Sequence, residues 1–418
     1  MTPATAETDK AATESPLSRL SGAQIEALGH EFDVIRDRVR ADLGERDRRY
    51  IEGVIALHRR LAVVSRALLL AAANRPARAA GTAALSAAKI LENMEIGHNV
   101  LHGQWDWMND PRIHSSTWDW DTASTAEAWK HSHNYVHHTF TNIRGKDRDL
   151  GYEIMRIDPE QRWHPVYLLQ PFYNLLLAAF FEWGVAVHDL DFEAIRRGEK
   201  SKAQLRRELA GIRAKAKSQI VKDYVAWPLL SGLATAAVEL ALESGRARGR
   251  RRRGGLAGSL RRALGKGARA YRSTAAANAT ANVVRNVWAY AIIFCGHFPD
   301  QTYTFSQAEV EDESPGGWYV RQLSGSANIE GGPFFHLASG NLGYQVEHHL
   351  FPDLPSSRYA EIAPQVKDIC ARYGLPYNSG PFSQQLGMVQ RTILRLALPG
   401  GKARPKPGPY AAEQVTAL

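Results

Sequence analysis

The apolar positions of this chain recur at helical spacing nearly from end to end. Ser21-Gly-Ala-Gln24 reads as a capping box. Behind it, Ile25, Leu28, Phe32, Ile35, Val39 and Leu43 make one apolar face. Five longer apolar stretches follow: Leu61–Ala73, Ala79–Ile90, Val166–Val187, Val225–Leu242 and Ala275–Phe298. A membrane-crossing helix wants about 20 apolar residues. Only the third and fifth stretches approach that length, and Asn278, Asn282, Arg285 and Asn286 interrupt the fifth. There is no convincing run of alternating strand positions and no internal repeat. The pattern predicts an all-α fold. On hydropathy alone it leaves open a multi-pass membrane bundle or a soluble protein with long core helices.

Composition narrows the choice slightly. Mean hydropathy is slightly negative, which excludes a bundle that is mostly lipid-embedded. The chain is basic, with 52 Lys+Arg against 43 Asp+Glu, and the charge is unevenly spread. Residues 246–272 hold eleven Lys/Arg and no acid. This run reads as a solvated basic loop insertion, with an anionic-lipid contact as the alternative. No nucleic-acid fold signature accompanies it, so no nucleic-acid partner is expected. Cys295 and Cys370 belong to no CxxC pair, which excludes a zinc ribbon, a rubredoxin-type site and a haem attachment. The polar segment 1–20 reads as disordered and 399–418 as a flexible tail, leaving residues 21–398 as one functional domain.

Histidine changes the picture. Only 15 of 418 residues are histidine, yet Lys130–Asn142, KHSHNYVHHTFTN, holds four of them. His98 and His102 stand four apart, as do His133 and His137, and His138 follows directly. On a helix, residues four apart share a face, so each pair can reach one point. Gln345, His348 and His349 repeat the theme at i, i+3 and i+4. At least seven histidines are too many for one four-coordinate zinc. Imidazole suits iron among other metals, and a pair of ions with positions left for dioxygen points to non-haem di-iron. The carboxylate type of di-iron bundle would need two Glu-x-x-His motifs. One such spacing occurs, Glu95 to His98, with no matched second. Glu95 therefore reads as a carboxylate that orients an imidazole. Asp147 and Asp149 are candidate acceptors of the same kind, or else part of a solvated loop. His131, two residues before His133, lies off the shared face. His336 reads as an outer neighbour of the site, and His114, His164 and His188 as ordinary hydrogen-bonded side chains.

HNVLHGQWDW, HNYVHHTFTN and QVEHHLFPDLPSSRY resemble the three histidine boxes of the membrane fatty-acid desaturase family. The region from about Tyr50 to Pro399 is similar to its actinobacterial acyl-CoA desaturases. The resemblance implies iron ligands at His98, His102, His133, His137, His138, His348 and His349. His297, in IIFCGHFPD, matches an isolated ligand histidine at the end of the last membrane helix. Gln345 stands where many relatives carry histidine and is the weaker candidate. No catalytic residue beyond the metal centre is implied.

The fold then expected is a bundle of about four transmembrane helices with a cytosolic helical cap carrying two irons. It sits in the cell membrane with the active site facing the cytoplasm. Ligands must share one side of the bilayer, so one apolar stretch between His102 and His297 cannot span; Val166–Val187 is the expected one. This topology puts the basic run outside, against the positive-inside tendency. The implied reaction is O2-dependent insertion of a cis double bond into a long-chain acyl-CoA or acyl-lipid, with carbon nine of stearoyl as the expected site. No HPGG haem stretch and no flavin or nicotinamide fingerprint is present. The two electrons are therefore expected from a separate ferredoxin- or flavin-linked reductase. A di-iron hydroxylase of alkanes, sterols or carotenoids is the nearest rival, and a membrane haem or metal carrier is the rival from another class.

Overall fold

Ser21 opens the first helix as the capping box predicts: its hydroxyl accepts the Gln24 N–H at 3.3 Å, and Gln24 Oε1 accepts the Ser21 N–H at 2.9 Å. The computed structural model describes residues 15–247 and 255–400. Residues 1–14 and 401–418 of the expected flexible termini lie outside these residues. Pro16–Arg19, however, forms a 3-10 helix and Leu20 is buried in the core, so the expected disorder does not reach residue 20. Helix α1 (Gly22–Ala41) buries Leu28, Phe32, Ile35 and Val39, the predicted face. They pack on Val346, Leu350 and Phe351 of the third histidine segment and on Ile362 and Val366. Apolar burial thus ties the N-terminal helix to the back of the functional segment.

Four long helices form the bundle beneath this cap. Helices α2 (Glu45–Leu70) and α3 (Arg75–Leu91) are a hairpin. Its turn is closed by Asn74, whose Oδ1 accepts the Ala77 N–H at 3.1 Å, with Pro76 in the first turn of α3, where its missing N–H costs nothing. The third apolar stretch breaks at Phe180 into α4 (Gln170–Ala179) and α5 (Phe181–His188). At 1.5 Å per residue these are about 15 and 12 Å long, each too short to cross a bilayer. Leu169, Phe172, Leu175 and Phe180 face outward from them. Helix α6 (Lys202–Ile220) continues through a π-helical segment, Val221–Ala226, into α7 (Trp227–Ala247). Helix α8 (Gly255–His297) then runs 43 residues back to the cap. Within the bundle α2 packs on α3 and α7, and α8 on α3 and α7.

The basic run departs from its expected form. From Gly255 onward it is the first part of α8 and not a loop; residues 248–254 lie outside the described ones. Arginine and lysine are good helix formers, and Gly267 sits against Gly232, where a Cβ would come within 2.7 Å of the Gly232 carbonyl oxygen. That close approach lets α8 lie along α7.

The all-α class holds. Among the described residues the only strands are the short parallel pair Asn328–Glu330 and Ser379–Pro381. By length and composition one helical rod, Lys202–Ser244, could cross a membrane. The bundle helices, that rod included, carry paired polar groups inside. Asp223 is held by Arg66 at 2.8 Å and Lys89 at 2.9 Å, Arg285 pairs with Glu182, and Asn286 donates to Ala179 O at 3.0 Å. The residues that interrupted the fifth apolar stretch are therefore partnered, as buried charges must be.

Candidate metal centre

Two of the three histidine segments lie at an irregular helical passage. A π-helical segment, Glu92–His98, ends on the first candidate ligand, and a second, Lys130–His137, carries His133 and ends on His137. The His133–His137 spacing is thus realised on a wider turn, a form that recurs at functional sites, whereas His102 N–H bonds back to the His98 carbonyl in an ordinary α-turn. His348 and His349 lie on α9 (Gln345–Leu350), and His297 is the last residue of α8.

These elements bring every histidine of the three boxes, with His297, to one focus. His98, His102, His133 and His348 each place a ring nitrogen within 4.8 Å of the others, and so do His137, His297 and His349. His138 sits between the two sets, its ring 4.8 Å from that of His102 and 4.6 Å from that of His349. Nε2 of His102, His133, His137 and His348 and both nitrogens of His138 are buried with no hydrogen-bond partner. Buried polar atoms are normally satisfied. So many unpartnered imidazole nitrogens pointed at one focus fit the donor set of a metal centre.

The outward nitrogens are occupied instead. His137 Nδ1 lies 3.0 Å from Asp147 Oδ1 and His133 Nδ1 3.4 Å from Asp149 Oδ2. His98 Nδ1 meets Asn99 Oδ1 at 3.0 Å, His348 Nδ1 meets the Tyr359 hydroxyl at 3.2 Å, and His349 Nδ1 meets Gln322 Oε1 at 3.0 Å. Such partners fix the tautomer and leave Nε2 free for a metal.

Burial, seconded by the neighbouring imidazoles, holds His98 down at about 3 and His102, His138, His348 and His349 well below their ordinary value. These rings are neutral, the ligand form. For His137 burial also works downward, but Asp147 and Asp149 outweigh it and raise the ring.

Gln345 lies at the rim of the three-imidazole set. Its Nε2 is 3.0 Å from His297 Nε2, and its Oε1 is buried without a partner. Gly296 makes room for it: a Cβ there would meet Gln345 Cγ at 2.7 Å.

Asp147 and Asp149 meet their expectation; Glu95 does not. Its carboxylate accepts from Tyr50 at 2.9 Å, Asn341 at 3.0 Å and Ser356 at 2.7 Å, and touches no imidazole. Only its backbone carbonyl serves the site, by receiving Asn99 Nδ2 at 3.1 Å. His131 is exposed and stacks on Tyr135. His336 stacks on Tyr344 with rings 4.2 Å apart, away from the focus. His188 is hydrogen-bonded as expected, but to Asp149 at 3.0 Å. Asn99, Gln322 and Tyr359 were missed. Asn99 and Tyr359 lie inside the quoted motifs, whereas Gln322 reaches in from a separate helix (Pro315–Ser324) with no local signal.

A narrow cavity opens beside the four-imidazole set. Met94, Trp120, Trp129, Phe181, Val185 and Ile293 give it a largely apolar surface, His98 and His133 stand at one side, and Asp149, Glu182, His188 and Asp189 also line it. Trp129 stacks on His133 at 4.5 Å. No member of the three-imidazole set lines it.

The sequence model of the family described as Fatty acid desaturase matches residues 76–381. A protein named NADPH-dependent stearoyl-CoA 9-desaturase, from Mycobacterium tuberculosis, is 45% identical over 91% of this chain and 82% of its own length. An sn-1 linoleoyl-lipid 6-desaturase from Synechocystis is 25% identical over 73% of this chain and 76% of its own. Human fatty acid desaturase 3 is 34% identical over 27% of this chain and 23% of its own. No solved structure matches the chain.

Proposed function

The chain belongs to the fatty acid desaturase family and is an oxidoreductase, and on that premise we propose that it inserts a cis double bond at carbon nine of stearoyl-CoA. The observation that carries the reading is the focus of eight imidazoles beside an apolar cavity. The 45% identity with a stearoyl-CoA 9-desaturase supports the substrate and the position.

In this reading His98, His102, His133 and His348 hold one iron, and His137, His297 and His349 the other. His138 stands between them, and Gln345 faces the second site. When bound, the iron pair supplies the oxidising power to remove two hydrogens from adjacent unactivated methylenes with O2. The balance is one saturated acyl chain, O2, two electrons and two protons giving one alkene and two waters.

The protein's own residues do the rest. Asp147 and Asp149 orient His137 and His133, and Asn99, Tyr359 and Gln322 orient His98, His348 and His349. The cavity walls strip water from the acyl chain and hold it against the four-imidazole side, so that two particular carbons are presented. Electrons come from a separate reductase, and the NADPH dependence of the mycobacterial relative supports NADPH as their source.

For the membrane, the reading is that α2, α3, α7 and α8 span, with the cap on the cytoplasmic side. Helices α4 and α5 lie in the interface through Leu169, Phe172, Leu175 and Phe180. Gas chromatography–mass spectrometry of lipids from cells expressing the chain tests the reaction. A rise in the 9-unsaturated C18 acid is the expected result. A hydroxylated acyl product would instead favour the hydroxylase, and a double bond elsewhere would refute the position.

A further inference from the structure

His188 links the carboxylate beside the ligand-bearing segments to α5, and no motif singles it out. His188 closes α5, and its side chain is 5% exposed. Its Nε2 lies 3.0 Å from Asp149 Oδ1. A carboxylate cannot donate, so the imidazole is the donor. The other oxygen of that carboxylate, Oδ2, lies 3.4 Å from His133 Nδ1 and 3.7 Å from His137 Nδ1. Among the described residues Asp149 is the one carboxylate within 4 Å of a member of each imidazole set.

His188 is well placed to hold this carboxylate still. Its Nδ1 is 3.6 Å from Glu153 Oε2, its carbonyl accepts from Arg148 at 2.8 Å, and Tyr152 packs on its ring at 5.3 Å. Without it, Asp149 Oδ1 would lose its side-chain donor in a buried site, which costs more than the bond itself contributes.

We propose that His188 is a positioning residue of the metal centre: it anchors Asp149, whose other oxygen meets His133 Nδ1, and so sets the orientation of that ligand in the four-imidazole set. This rests on the di-iron reading above. Partners in such outer positions are worth about tenfold to a hundredfold in metal affinity.

The test uses the full chain, purified and loaded with ferrous iron, with chelator competition and Mössbauer spectroscopy as readouts. His188→Ala is expected to retain iron up to about tenfold less tightly, with the signal of one iron environment shifted more than the other. His188→Gln keeps an amide N–H that can reach Asp149 and is expected to recover most of the affinity and the spectrum. Wild-type affinity and spectrum in His188→Ala overturn the proposal. So does a loss that His188→Gln fails to restore, which reduces His188 to packing. A wild-type chain that takes up no iron fails the di-iron reading itself and is seen before either variant is compared.

Discussion

The two imidazole sets differ in what faces them. His98, His102, His133 and His348 form a set with an apolar cavity in front of it and Trp129 stacked against it. His137, His297 and His349 form a smaller set, closed by the end of α8 and by Gln345. The first is built from all three boxes and meets the space an acyl chain would fill. The second is shielded from that space and tied to Asp147 and Gln322. Similar histidine spacings thus yield an asymmetric focus, in which His98 and His133 line the cavity and His137, His297 and His349 do not.

Removing a ligand from either set breaks the comparison most severely. His348→Ala and His297→Ala are each expected to abolish desaturation, by more than about a hundredfold given the cost of losing even an outer partner, as scored by product chromatography. Turnover retained in His297→Ala alone would reduce the smaller set to scaffolding. Next comes Asp147→Ala, which frees His137 Nδ1 directly and reaches the cavity-facing set only through the Asp149 N–H that Asp147 accepts at 2.9 Å. Iron retention against a chelator is expected to fall about tenfold to a hundredfold at one of the two sites. An equal fall at both would show that the sets are not separable.

These contrasts follow how legible the chain was. The three boxes were readable because metal chemistry demands one residue type at fixed helical spacing. Asp147 and Asp149 were readable because they follow their partners by a few residues. His297 came only through family resemblance, because nothing local marks a lone histidine. Gln322 had no signal, since only tertiary packing brings Pro315–Ser324 against His349. The fold shows the same division. The capped first helix and the Asn74 turn follow from local chemistry. The helical form of Gly255–Arg272 depends on a partner helix, and the π-helical form of the box segments is not marked in the sequence. Glu95 has the spacing of a metal-site carboxylate, but Tyr50, Asn341 and Ser356 claim it.

Smaller perturbations sharpen the contrast. Gln345→His is expected to preserve desaturation and raise iron retention at the smaller set by a few-fold, as the amide nitrogen there already lies 3.0 Å from His297. A large loss of activity would show that the glutamine amide has a specific task. The smallest effect concerns pH. Burial outweighs three donors and raises Glu95 to about 8 from an ordinary 4.5. The folded chain thus keeps a proton that the unfolded chain releases, so stability is fullest below about pH 4.5 and declines as pH rises toward 8. Thermal melts of wild type and Glu95→Gln across that range should show the variant with the shallower slope; parallel curves would remove the buried acid from the account.

The most direct measurement is metal analysis of the purified chain joined to Mössbauer spectroscopy after loading with enriched iron. The account predicts two irons per chain, no haem absorption and two distinct iron signals, one for each imidazole set. A single iron, haem in its place, or no iron bound at the shared focus would contradict it.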